Sequence, residues 1–331
     1  MTKISLIAEI GSIHDGSYGN AVKAIEAAAA SGADTVKFQT HVADAETLPD
    51  APMPPYFKGE PRLQYFRRTA FTLEQWRGLA AAAKDCGVGF MSSPFALEAV
   101  DLLEACGLGI YKIASGEVTN LPLLERIAAT GKPVLLSSGM SNWRELDVAV
   151  ETLRKGGPLT VLQCMTAYPC PPEEVGLNVL GELRARYGLP VGYSDHTAGN
   201  TAAIAAATLG AVAIEKHFTF SKLMYGSDAK NAAEPPQFAA LAEALKEVSR
   251  MLAANVDKDK AAAGLGDMKR IFEKSVVTAR PVKAGATISI ADLAFKKPGD
   301  GISAARYRDV VGRIAARDMP ADRKIAPDDL K

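Results

Sequence analysis

Residues 87–117 read GVGFMSSPFALEAVDLLEACGLGIYKIASGE, and this short span predicts one complete repeat of the fold. An apolar run over Gly89–Ser92 ends in hydroxyls, as a buried strand does on reaching the surface. The Ala/Leu/Glu-rich segment Ala96–Cys106 follows with helical spacing and stops at Gly107, a residue suited to a helix C-cap. A second apolar run, Ile110–Ile113, ends in Lys112, Ser115 and Glu117. Two apolar strands joined by a helix imply a parallel pair.

Outward from this unit the pattern repeats. Strand-like runs are expected at Ile4–Ile10, Thr35–Gln39, Pro133–Ser137, Leu159–Gln163, Pro190–Ser194 and Ala213–Lys216. Between them lie helices at Ala21–Ser31, Leu73–Cys86, Pro122–Thr130, Trp143–Lys155, Val179–Tyr187 and Thr201–Leu209, with Phe238–Ala254 after the last strand. Glycines such as Gly32, Gly87, Gly131, Gly156, Gly188 and Gly210 are expected to close them. About eight such units predict an α/β fold, a closed (β/α)8 barrel over residues 1–255, with an open doubly wound sheet as the alternative. No dinucleotide fingerprint follows the first strand, where "AEIGSIHDG" matches one poorly, and this weighs against the open sheet.

Residues 256–271, charged and Ala/Gly-rich, read as a linker, and residues 272–331 as a small β-rich domain with turn signals. The Pro-rich stretch "HVADAETLPDAPMPPYFKGEPRLQYFRR" after the second strand reads as a long irregular loop of functional interest.

Lys+Arg and Asp+Glu both number 38. With no net charge there is no broad field to attract nucleic acid or an anionic membrane, so specificity must come from a site. No apolar run is long enough to span a membrane, the opening residues lack a secretory pattern, and the 4 cysteines (Cys86, Cys106, Cys164, Cys170) form no CxxC pair. A cytoplasmic protein is expected.

In a parallel barrel the loops after the strands carry the chemistry. The strand tips here bring Glu9, His14, Lys37, Gln39, His41, Lys112, Ser115, Glu117, Ser137, Thr166, Tyr168, Ser194, Asp195, His196, Glu215, Lys216 and His217 to one rim. Lys37 and Lys112 lie inside apolar strands, where an ammonium is costly without a partner. With the Ser/Thr hydroxyls they suit an anionic, phosphate-bearing ligand. His196 and His217, on successive strands, suit a divalent metal, whereas His14 and His41 fit a structural role equally well.

Taken in order, "IAEIGSIHDG", "VKFQTH", "MSSPF", "YKIASGE", "LLSSGM", "AYPCPPEEVGLNVL", "GYSDHT", "EKHFT", "KKPGDGIS" and "RDMPADRKI" resemble the sialic acid synthase family along the whole chain. The resemblance implies a (β/α)8 barrel with a C-terminal SAF (antifreeze-like) domain and a domain-swapped homodimer. It implies a synthase that condenses phosphoenolpyruvate with an acylated amino-hexose to a 3-deoxy-2-keto nonulosonate and phosphate. By resemblance His196 and His217 are manganese ligands, and Lys37, Lys112, Ser115, Ser137 and Ser194 bind phosphoenolpyruvate. Glu9, Tyr168 and Asp228 surround the sugar, while Thr166 stands where Asn or Ser is common. Asp195 is grouped with the substrate-binding residues, and Glu9 or Glu117 with proton transfer. Lys297 takes the place of an Arg that a partner subunit contributes to the sugar's acyl group, a change of hydrogen-bond geometry. Competing expectations are a 3-deoxy-octulosonate-type synthase, a Schiff-base aldolase using Lys112, and a non-catalytic sugar-binding protein.

Overall fold

The computed structural model describes residues 3–52 and 59–331. Its contacts divide the chain into two units, one extending to Ala254 and the other spanning Asn255–Lys331.

In the first unit the eight strands β1 (Ser5–Gly11), β2 (Thr35–Thr40), β3 (Gly89–Pro94), β4 (Tyr111–Ile113), β5 (Val134–Ser137), β6 (Leu159–Cys164), β7 (Val191–Asp195) and β8 (Ala213–His217) pair in chain order and close into a barrel. The β1–β8 pairing is parallel, with Glu9 opposite His217. This closure removes the open-sheet alternative.

Helices α1 (Tyr18–Ala30), α2 (Ala43–Glu46), α3 (Arg62–Thr69), α4 (Leu73–Asp85), α5 (Leu97–Cys106), α6 (Leu121–Ala128), α7 (Trp143–Leu153), α8 (Leu177–Tyr187), α9 (Thr201–Thr208) and α10 (Pro235–Ala253) accompany the strands. Of these, α1 and α10 start 3 residues earlier than apolar spacing alone predicts, because caps decide helix starts. The Ser17 side chain accepts from the Asn20 N–H ahead of α1, and Glu234 forms a capping box before Pro235 opens α10. Gly107 closes α5 with φ 79°, as expected of a C-cap. Gly156 does not: a Cβ there would lie 2.4 Å from the Ala128 carbonyl oxygen, so this glycine serves a close approach of backbones.

Successive strand residues alternate in direction. Ala8, Ile10, Val36, Phe38, Tyr111, Ile113, Leu136, Val161, Tyr193 and Ile214 face outward into the main core, against the Ala and Leu stripes of the helices, with Trp76 buried among them. Ile7, Met91, Leu135, Leu162 and Ala213 form a separate apolar cluster inside the barrel. The interior is therefore plugged below, and the next inward residues up each strand can only face a pocket at the top.

The stretch expected to be one irregular loop contains α2 and α3, while its residues 53–58 lie outside the described residues. In the second unit the expected linker is mostly two short exposed helices, α11 (Lys258–Ala263) and α12 (Gly266–Phe272). The expected β-rich region contains one two-stranded antiparallel sheet, β9 (Ser275–Thr278) with β10 (Leu293–Lys296). Isolated bridges extend it around a small core that includes Val276, Val282, Ile288, Val310 and Met319. No described helix is long and apolar enough to cross a membrane.

Candidate active site

Period-two alternation selects the site. Moving up from the apolar plug, the inward residues are Glu9, then Lys37 and Gln39, Lys112, Ser137, Cys164, Ser194 and His196, then Glu215 and His217. All of them line a cavity of about 250 Å3 at the strand C-termini. Loops add Ser115, Thr166, Tyr168 and Asp228, and α3 contributes Arg62, Tyr65 and Phe66.

The floor is a buried charge network. Lys37 Nζ lies 2.8 Å from Glu9 Oε2 and 3.7 Å from Glu215 Oε1. Lys112 Nζ is 3.7 Å from Glu215 Oε2 and donates to Ser137 Oγ at 2.7 Å. Ser194 Oγ donates to Glu215 Oε1 at 3.2 Å. Burial acts on both ammonium groups, with different outcomes. Burial disfavours the charge on Lys37, but Glu215 and Glu9 outweigh it and hold the pKa above the ordinary lysine value. On Lys112 burial wins over Glu215, with Lys37 adding to the loss, and the pKa is lowered. Burial would raise the Glu215 carboxyl, but Lys112 and then Lys37 pull it well below the usual carboxylate range. Two buried ammoniums thus share one bridging carboxylate beneath an open pocket, leaving capacity for an incoming anion.

Two imidazoles sit above this floor. The His196 and His217 rings are 5.6 Å apart between centroids. His196 Nδ1 meets the Met165 carbonyl at 2.7 Å, which directs Nε2 toward Tyr168 Oη at 3.3 Å and the cavity. His217 Nδ1 is a buried polar atom without a hydrogen-bond partner among the described residues. Burial leads the causes holding His217 below the usual imidazole range, which keeps a lone pair available. On His196, burial is outweighed by Cys164 and the Met165 carbonyl, which raise its pKa. These two nitrogens fit a divalent metal with an open coordination sphere. No described group of three or more His, Cys, Asp or Glu forms a closed cage, so the remaining positions would fall to water or ligand.

One wall is cut close. Gly139 N donates to Ser115 Oγ at 3.2 Å, and a Cβ on Gly139 would lie 2.7 Å from both Ser115 Oγ and Cys164 Sγ and 2.8 Å from Thr166 Oγ1. Only glycine leaves these side chains where they are.

The other two histidines differ from this pair. His14 is buried beside Phe71 at 4.5 Å, its Nδ1 accepts from the Gly16 N–H, and burial lowers its pKa to about 4. His41 lines the cavity.

Two expected site residues of the barrel unit are not among the described lining residues. Asp195 faces outward, its side chain fully buried, and pairs with Lys216 Nζ at 2.6 Å. Lys216 in turn donates to the Thr197 and Gly199 carbonyls, so the two residues hold the β7–α9 loop. Asp195 is a structural carboxylate, and Lys216 does not belong to the rim. The reason is alternation: in "SDH" the first and third residues face in and the middle one faces out. Glu117 ends a short 3-10 turn (Ser115–Glu117), accepts from Asn120 Nδ2 at 2.8 Å, and is not among the described lining residues. Lys297 belongs to the second unit, where its ammonium lies 4.9 Å from the centre of the Phe272 ring.

Glu215 and Gln39 were seen at strand tips without being singled out. Counting two residues back from His217, or two on from Lys37, finds both. Arg62, Tyr65 and Phe66 carried no such signal, because α3 is not adjacent in sequence to any strand tip.

Two family models match the chain: the NeuB family over residues 24–257 and the SAF domain over residues 273–331. Among curated proteins, N,N'-diacetyllegionaminic acid synthase of Campylobacter jejuni is 40% identical, with 98% of this chain and 99% of the relative covered. Pseudaminic acid synthase of Helicobacter pylori is 30% identical, with 98% and 97% covered. Among solved structures, the N-acetylneuraminic acid synthetase of Leptospira borgpetersenii superposes with a TM-score of 0.71 at 27% identity, over 81% of this chain and 93% of that one.

Proposed function

Because this chain belongs to the NeuB family, we propose that it is a synthase forming a carbon–carbon bond between phosphoenolpyruvate and an open-chain acylated amino-hexose, releasing phosphate. The observation that carries this reading is the convergence of Lys37, Lys112 and the bridging Glu215 beneath His196 and His217 in one cavity. Of the candidate sugars, a diacetamido-trideoxy-hexose is favoured over N-acetylmannosamine by the name of the 40% identical relative.

In this reading carbon 3 of the enol phosphate attacks the aldehyde carbon, and charge develops at carbon 2. Water adds there, and C–O cleavage expels phosphate. Lys37 and Lys112, with Ser115, Ser137, Thr166 and Ser194, hold the carboxylate and phosphate and offset the departing charge. Glu9, Tyr168 and Asp228 would orient the sugar, and of the two carboxylates expected to move a proton, Glu9 is favoured because it lines the cavity and Glu117 does not. His196 and His217 would hold a divalent ion, manganese by resemblance, which supplies Lewis-acid polarisation of the aldehyde. Lys297 would reach the sugar's acyl group from a second copy in a domain-swapped homodimer.

The test is a phosphate-release assay across N-acetylmannosamine, diacetamido-trideoxy-hexoses and sugar phosphates. Release with an unphosphorylated amino sugar is expected, and release with sugar phosphates alone would overturn the reading. The downward shift of the Lys112 pKa is also in the direction that a Schiff-base aldolase requires. Borohydride reduction in the presence of substrate would trap a covalent adduct in that case and none in ours.

A further inference from the structure

His41 lies at the cavity edge with its ring faces covered: Phe66 stacks on it at 3.7 Å and Phe95 at 4.3 Å between centroids, both nearly parallel. The Arg62 guanidinium sits 5.3 Å from the centre of the Phe66 ring. The ring can therefore act only through its edge. Nδ1 is 2.7 Å from Glu46 Oε1, and Nε2 is 3.3 Å from Gln39 Oε1. Glu117, Arg62 and His14 contribute to the local field without reaching the ring nitrogens. The His41 and Glu46 side chains are each only 5% exposed.

The direction of each hydrogen bond follows from the charge at the far end. Glu9 is paired with Lys37 and is an acceptor only. Gln39 Nε2 donates to Glu9 Oε1 at 2.8 Å, which fixes the amide and turns Gln39 Oε1 toward His41. A carbonyl oxygen accepts, so a hydrogen bond at this contact requires the proton on His41 Nε2, whichever way the Glu46–Nδ1 proton is shared. The reverse amide orientation would place its oxygen against the Glu9 carboxylate.

We propose that His41 is a positioning residue: held flat by Phe66 and Phe95 and anchored by Glu46, it locks the Gln39 amide so that Gln39 presents N–H groups to Glu9 and to the sugar side of the cavity. This rests on the condensation reading above for the identity of the ligand, but its hydrogen-bond polarity does not. Without the His41 donor the amide can turn over, Glu9 loses an N–H, and the cavity edge changes from donor to acceptor.

Two measurements test this on the full chain. In protein labelled with 15N at histidine, only 4 imidazoles need assignment, and a protonated Nε2 is expected for His41 at neutral pH. A bare Nε2 overturns the proposal even if the function is right, and this readout stands even if no sugar is ever turned over. The double variant His41→Phe/Glu46→Gln keeps the aromatic stack and leaves no buried unpaired carboxylate. It should lose on the order of ten- to a hundredfold in kcat/KM for the sugar, with the KM for phosphoenolpyruvate unchanged. Glu46→Gln alone should stay within a few-fold of the parent, since its amide can donate to Nδ1 and leave the Nε2 proton in place. Equal changes in both KM values with a lowered Tm would mean that His41 merely holds the rim together, and would sink the idea.

Discussion

Along β8, Ala213 and Glu215 point in the same direction two residues apart. The first packs with Ile7, Met91, Leu135 and Leu162, while the second lies between two ammonium groups. The lower layer is an apolar plug with no polar atoms to satisfy. The upper layer is polar, and its groups satisfy one another only partly: Glu215 Oε2 and His217 Nδ1 lack hydrogen-bond partners among the described residues. One layer contributes stability through burial and the other holds polar capacity in reserve for a ligand. The difference lies in depth along the strand, because strand and facing direction are shared.

Substitutions should separate the two layers. In the upper one, Lys112→Met should cut phosphate release about a thousandfold while circular dichroism and Tm change little, since Glu215 keeps Lys37 and Ser194 and the methionine removes the desolvation cost of an ammonium. A large fall in Tm with activity retained would reverse the assignment of the layers. On the outward face, Lys216→Met leaves Asp195 buried without its partner and should cost about 3–5 kcal/mol in urea unfolding, with turnover per folded molecule kept. Loss of turnover at full stability would return Asp195 to the site.

In the plug, Leu162→Ala should destabilise by about 3 kcal/mol through lost burial and an unfilled cavity, again with activity retained below the melting transition. His14 supplies the effect that depends on pH. Its folded pKa of about 4 lies below the unfolded value of 6.5. The unfolded chain therefore binds the extra proton first, and stability present above pH 6.5 is lost as the pH falls toward 4. The loss is up to about 3 kcal/mol. His14→Phe, stacking on Phe71, should flatten that limb in unfolding curves measured between these pH values, and an unchanged slope would show that another group controls it.

The fold was legible because each βα unit states its own boundaries: apolar run, polar tip, amphipathic helix, terminal glycine. Much of the cavity was legible too, since lysines within "TVKFQ" and "IYKIAS" are conspicuous in apolar surroundings. Asp195 and Lys216 misled because composition at a strand tip says nothing about facing, and adjacent letters point to opposite sides of the sheet. Alternation anchored on Lys37 or His217 corrects both and adds Gln39 and Glu215. Nothing comparable exists for Phe66 and Arg62, which reach the cavity from a helix well beyond the end of β2.

The sequence by itself determined the eight repeats, their order and the residue types at their tips, because backbone periodicity and burial are written locally. Only the tertiary structure decided which tip residues share a pocket, that one carboxylate serves two ammoniums, and that a histidine between two phenylalanines faces Gln39. The shared pocket and its bridging carboxylate depend on closing β8 against β1, and the covered histidine on α3 folding back over the end of β2, so that charge and donor direction are set by neighbours that no local pattern names.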